Sequence, residues 1–164
     1  MIRVTTLVFF LTSIAVPAAV LGQDSTAVAV ETTGEMGSHA FILNDAITFE
    51  PFEVPGFDSG LQLAVIHGDP MAESGDYTVR LILPDGYRFP AHFHPMAEHA
   101  TVLRGTLLIA MGTDVNPDAL EEYSPGAFLY FPPEQPHYGG ATGETVLQLH
   151  GKAPFKIVLA NTGS

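Results

Sequence analysis

Two histidines one residue apart, His92 and His94, a glutamate four residues further on, Glu98, and a histidine beyond a proline-rich stretch, His137, have the side-chain types that hold a metal ion. The chain contains seven histidines and no cysteine, so thiolate chemistry and disulfides are excluded and any metal site must be built from imidazoles and carboxylates. Three neutral imidazoles with one carboxylate suit a divalent transition metal (Fe, Mn, Ni, Co, Cu or Zn) and leave positions on an octahedral ion for water or substrate. In an extended strand His92 and His94 share a face, because successive side chains alternate. Pro95 cannot donate a ladder hydrogen bond and ends that strand, and Met96 and Ala97 turn the chain into the next strand, which begins at Glu98. A carboxylate from the neighbouring strand thus returns beside the two imidazoles. His99 has the opposite parity and is expected to pack on the other side of the sheet. The run from Phe131 through Pro132, Pro133, Glu134, Gln135 and Pro136 delivers His137 from a separate strand.

The elements that must position these groups have the period of strands. Expected strands are Phe41 to Asn44, Leu61 to His67, Tyr77 to Leu83, Phe89 to His94, Glu98 to Leu103, Thr106 to Met111, Ala127 to Phe131, Thr145 to His150 and Phe155 to Leu159. Turn signals separate them at Pro84-Asp85-Gly86, Arg104-Gly105 and Gly139-Gly140. Only Asn116 to Glu122 reads as helical, a turn or two with Asn116 as N-cap and Pro117 in the first turn. Sixteen glycines and 13 prolines without a repeat fit many short elements joined by tight turns. The fold class is all-β, an antiparallel sandwich or jelly roll.

Gly86, five residues, His92-x-His94, three residues, Glu98, six residues and Gly105 together resemble the first conserved motif of the cupin superfamily, with no mismatch. The second cupin motif is matched at Gly126, Pro132 and His137; Glu134 stands where that motif has its turn glycine, and Ala141 where it has an asparagine. Glu134 is therefore expected to take a backbone conformation that glycine adopts more readily. The stretch from about Phe41 to Asn161 is also similar to small exported bacterial proteins with a single cupin domain and no settled activity. The resemblance implies a cupin-type antiparallel β-barrel, metal ligation by His92, His94, Glu98 and His137, and a homodimer.

The amino terminus has Arg3, an apolar run from Val4 to about Val20 and small residues ahead of Gln23, the pattern of a secretory signal peptide. Residues 1–22 are read as that signal, 23–38 as a disordered lead-in, and 39–164 as one domain exported to the periplasm or secreted. A formal net charge of −12 disfavours nucleic acid and anionic membrane surfaces and attracts cations. No membrane partner is expected once the signal is removed.

Around the four ligands, Arg88 shares strand parity with His92 and suits an anionic substrate group. His150 shares a face with Gln148 and Val146 and is a candidate for the pocket, as is Tyr138 beside His137. Phe89, Phe93, Met96, Phe131 and Tyr138 flank the ligands and suggest an apolar wall for a small molecule. Three functional classes are compatible: a metal-dependent enzyme of oxygenase, isomerase or decarboxylase type acting on a small organic molecule, a non-catalytic domain that binds or senses a metal or metabolite, and a partner-binding protein with a vestigial site.

Overall fold

The computed structural model describes the backbone of residues 32–34, 37–39 and 41–160, and side chains across 41–160. The expected signal peptide lies outside the described residues. Of the expected lead-in, β1 (Thr32–Gly34) and β2 (Gly37–His39) are described, and they pair antiparallel with each other, separate from the main sheet. Among the described residues no helix is long and apolar enough to cross a membrane.

Among the described residues, nine strands form one antiparallel sheet: β3 (Glu50–Pro51), β4 (Gln62–His67), β5 (Asp76–Leu83), β6 (Arg88–Phe93), β7 (Glu98–Met111), β8 (Glu121–Tyr123), β9 (Phe128–Phe131), β10 (His137–Lys152) and β11 (Val158–Leu159). The long β10 organises it. Its first part pairs with β6 on one side and β7 on the other, and its second part pairs with β5 and again β7, which curls the sheet into a barrel. In β5 the alternation is clean: Tyr77, Val79, Leu81 and Leu83 are buried and the residues between them are not. They meet Val102 and Leu107 of β7 and Leu147 and Leu149 of β10 in one core inside the barrel. Burying each such side chain contributes roughly 1.5–3 kcal/mol.

Several expected elements differ in the structure. Phe41 to Asn44 is not a strand; Phe41, Ile42 and Leu43 are exposed, and Asn44–Ala46 forms a 3-10 turn. The two strands expected on either side of Arg104-Gly105 are one strand, β7, because Gly105 forms a bulge and not a hairpin turn: its φ is 75°, and the register with β10 shifts between Thr106 and Arg104. A Cβ at Gly105 would collide with the backbone of Glu144 and Thr145. Gly139 and Gly140 likewise lie inside β10, where side chains would meet the backbone of Leu108 and Tyr87, so these glycines permit close strand crossing instead of a turn. The helical reading near Asn116 reduces to the 3-10 turn Pro117–Ala119, capped as expected by the Asn116 side chain, which accepts from the Asp118 N–H at 3.0 Å. Of Phe155 to Leu159, only Val158–Leu159 is strand.

Candidate metal centre

The local folding around the histidines follows the strand-turn-strand logic of the sequence. His92 lies in β6 and pairs across the ladder with His137, the first residue of β10; His94 follows the end of β6, and Glu98 opens β7. The proline-rich turn is latched to this corner by the Glu134 N–H, which donates to the His94 carbonyl at 2.8 Å, and Glu134 takes the left-handed backbone (φ 60°) expected of a residue in a glycine's place. All four side chains are buried, between 3% and 6% exposed.

One ring nitrogen from each of His92, His94 and His137 lies within 4.8 Å of the other two. The opposite nitrogens are all committed to backbone carbonyls: His92 Nδ1 to Pro90 at 2.9 Å, His94 Nδ1 to Lys156 at 2.8 Å and His137 Nδ1 to Gln135 at 3.2 Å. A carbonyl only accepts, so each Nδ1 must donate, and the neutral ring then carries its lone pair on Nε2. Three such lone pairs at one place fit a transition metal, with the backbone carbonyls fixing tautomer and ring orientation. Burial, with the charge of His137 and then His94 adding to it, lowers the His92 pKa to about 3, against the opposing hydrogen bond to Pro90. Burial and His94 lower that of His137 to about 4. Both rings are therefore neutral at physiological pH, the form that coordinates. The Glu98 carboxylate stands 3.4 Å from His94 Nε2, at the edge of the three-histidine group. Burial raises its pKa, while His94 and His99 act in the opposite direction.

Aromatic rings brace the ligands. Phe131 stacks on His137 at 4.2 Å between centroids, Phe155 stacks on His94 at 5.4 Å, and Phe57 tilts against His92 at 4.9 Å. The same residues line a cavity of about 60 Å³ into which His92, His94, Glu98 and His137 face. Phe57, Phe155 and Tyr87 come from segments outside the two His-bearing stretches or adjacent to a turn, and no spacing signal singled them out.

Three residues expected near the pocket do not line it. Arg88 points away, its guanidinium donating to the carbonyls of Tyr87 at 2.8 Å and Ala141 at 3.0 Å. Strand parity fails there because the β6–β10 register slips between the His92–His137 and Phe89–Gly139 pairs, so that Phe89 and His92 both face inward. Tyr138 follows His137 and faces the other side, where its hydroxyl accepts from the Asn116 N–H at 3.1 Å and donates to the Asn116 carbonyl at 3.2 Å. His150 lies on the outer face and stacks on His99 at 4.6 Å with the rings 3° from parallel; its neighbour Leu149 is the residue that lines the cavity. Of the expected apolar wall, Phe89 and Phe131 line the cavity, and Phe93 and Met96 do not.

A family model described as "Cupin domain" matches residues 79–150, which carry all four candidate ligands. Solved structures with the same fold include the polyketide cyclase RemF from Streptomyces resistomycificus (18% identity, TM-score 0.60, covering 76% of this chain and 87% of that one). A putative acetylacetone dioxygenase from Methylibium petroleiphilum is similar at 16% identity and TM-score 0.60, covering 81% of this chain and 89% of that one. An RmlC-like cupin from Shewanella frigidimarina matches at 14% identity and TM-score 0.52, covering 68% and 88%. No curated protein matches the chain by sequence.

Proposed function

Because this chain belongs to the cupin superfamily, we propose that it is a metal-dependent enzyme acting on a small organic molecule inside the barrel, with His92, His94, His137 and Glu98 holding one divalent transition metal. The observation that carries the reading is the shared tautomer: three buried imidazoles turn Nδ1 to backbone carbonyls and offer Nε2 to a common point. When bound, such an ion polarises a substrate oxygen or binds dioxygen, which serves oxygenation, isomerisation or decarboxylation alike. The chain's own residues supply the rest. Phe57, Phe131 and Phe155 hold the imidazoles in orientation and exclude water. Glu98, whose burial favours the protonated form, can hold a proton beside His94 when no cation is near.

A non-catalytic binding domain is the second reading, and the cavity wall is what favours it: apart from the four candidate ligands and Tyr87, the lining side chains are all hydrocarbon, so few groups are available for acid–base work. Elemental analysis of the natively purified protein, with dioxygen uptake and product mass measured on a panel of small carbonyl compounds, separates the two. Metal with turnover that is lost in a His92→Ala/His94→Ala variant supports the enzyme; metal without turnover supports the binding domain.

A further inference from the structure

His92, His94, Glu98 and His137 are all buried, so an ion or small molecule reaches them only if part of the covering wall moves. Most of that wall is strand. Several lining residues outside the strands are pinned. The Phe52 N–H donates to the Leu61 carbonyl at 2.8 Å, the Tyr87 N–H to Pro84 at 3.1 Å and the Phe155 N–H to Pro70 at 2.7 Å. Phe57 differs. It lies in the loop 53–60 between β3 and β4, and its N–H reaches only Val54 of the same loop, at 3.0 Å. Glu53, Pro55, Gly56, Asp58, Ser59 and Gly60 are exposed; Val54 and Phe57 turn partly inward. Phe131 and Phe155, which also pack on the histidines, are buried, whereas Phe57 is half-buried and borders both cavity and solvent. Its ring is seated by packing, 4.9 Å from His92 and stacked on Phe89 at 5.9 Å. Among the described residues only Asp58 bonds this loop to the barrel: its N–H donates to the Arg88 carbonyl at 3.2 Å and its carboxylate accepts the Arg88 N–H at 2.9 Å. Gly56 and Gly60 flank Phe57 at φ 84° and 96°, backbone that glycine enters without a side-chain clash. Segments so sparsely attached open at low cost, and lids are drawn from them.

We propose that residues 53–60 form a lid over the histidine group, with Phe57 as the plug that controls access to the cavity and Asp58 as the latch that holds it shut. The lid rests on the reading of the cavity as a metal centre and governs the route to that centre, not its ligands. Opening breaks the two Asp58 bonds at the surface, where water replaces them, and lifts the ring from Phe89 and His92. The Phe52–Leu61 bond keeps the base of the loop in place. His92 retains its Pro90 hydrogen bond with the lid open or shut, so the open site still presents the same ring nitrogen. A plug and a brace differ in kinetics. A lid that closes alike over an empty and an occupied cavity changes uptake and release together and leaves affinity alone, because only differential interaction with two states shifts their equilibrium. A brace would slow release and tighten binding.

The test follows Zn²⁺ uptake, and its release to a chelator, by stopped flow in wild type, Phe57→Ala and Asp58→Ala. Both variants are expected to exchange the ion faster in each direction, roughly fivefold or more for Asp58→Ala as a hydrogen bond to a carboxylate is lost, with Kd moving by less than about twofold. A metal-free arm reads the same route: diethyl pyrocarbonate should acylate His92 faster in both variants than in wild type, with the exposed His67 as internal reference. Faster release with Kd weakened in proportion would make Phe57 a brace and overturn the proposal. Unchanged exchange and labelling in both variants would overturn it too, as would acceleration matched by a fall in the urea midpoint, which reports global unfolding and not local opening. If wild type takes up no Zn²⁺ while the labelling contrast stands, the metal-centre reading fails and the lid does not.

Discussion

His92 and His137 are neutral because burial outweighs the carbonyls that would stabilise their protonated forms. In the unfolded chain both should titrate at an ordinary value of ~6.5. Their folded pKa values are depressed, so the stability associated with the neutral rings is complete above about 6.5 and is lost as the pH falls toward about 3–4. Across that window metal-free protein is expected to lose up to roughly 1.4 kcal/mol per pH unit for each ring, read as a falling midpoint in urea titrations at stepped pH. Bound metal competes with the same protons, so acidification should also release it. Glu98 runs in the other direction: its folded pKa is raised, so in metal-free protein its contribution is lost as the pH rises through that value. Glu98→Gln is therefore expected to raise the Tm of the metal-free protein at pH 8 while weakening metal retention by roughly tenfold or more, measured by competition with a chelator. A fall in metal-free Tm would show that the carboxylate is satisfied within the fold.

At the scale of elements, parity arguments succeeded where strands are regular and failed where glycine or a bulge intervenes. β5 alternates cleanly, and the placement of Glu98 inward and His99 outward at the start of β7 follows from one residue of spacing. Arg88 was misplaced because the extra residue on β6 opposite β10 reverses parity between Phe89 and His92, and no local composition marks that slip. Gly105, Gly139 and Gly140 read as turns in the sequence because glycine serves turns and close strand crossings equally; which one applies depends on the partner strand. Phe57 and Phe155 reach the site through long-range packing that spacing does not encode. The turn holding His137 gives an element-scale prediction. Glu134 sits at φ 60°, a region that costs a residue with a side chain roughly 1–2 kcal/mol, part of which glycine returns through its freer unfolded chain. Glu134→Gly should stabilise the protein by up to about 1 kcal/mol in chemical denaturation without reducing metal content. A clear loss of stability would mean that the Glu134 side chain contributes contacts that outweigh the strain.

For the molecule as a whole, the outer face of the barrel carries exposed apolar side chains at Phe128 and Tyr130 beside His99 of the stacked His99–His150 pair. The homodimer implied by the resemblance would cover such a face and protect sheet edges. Light scattering at micromolar concentration is expected to return twice the chain mass; a monomer mass throughout would reject it. The central claim, that His92, His94, His137 and Glu98 form one metal centre, is tested most directly by metal content and thermal stability measured with and without chelator for wild type and His92→Ala/His94→Ala. Metal bound only to the folded state stabilises it by mass action, so wild type should contain close to one equivalent and lose Tm on chelation, whereas the double variant should contain none and show no response. A double variant that retains stoichiometric metal, or a wild type that binds none under any loading condition, would contradict the account.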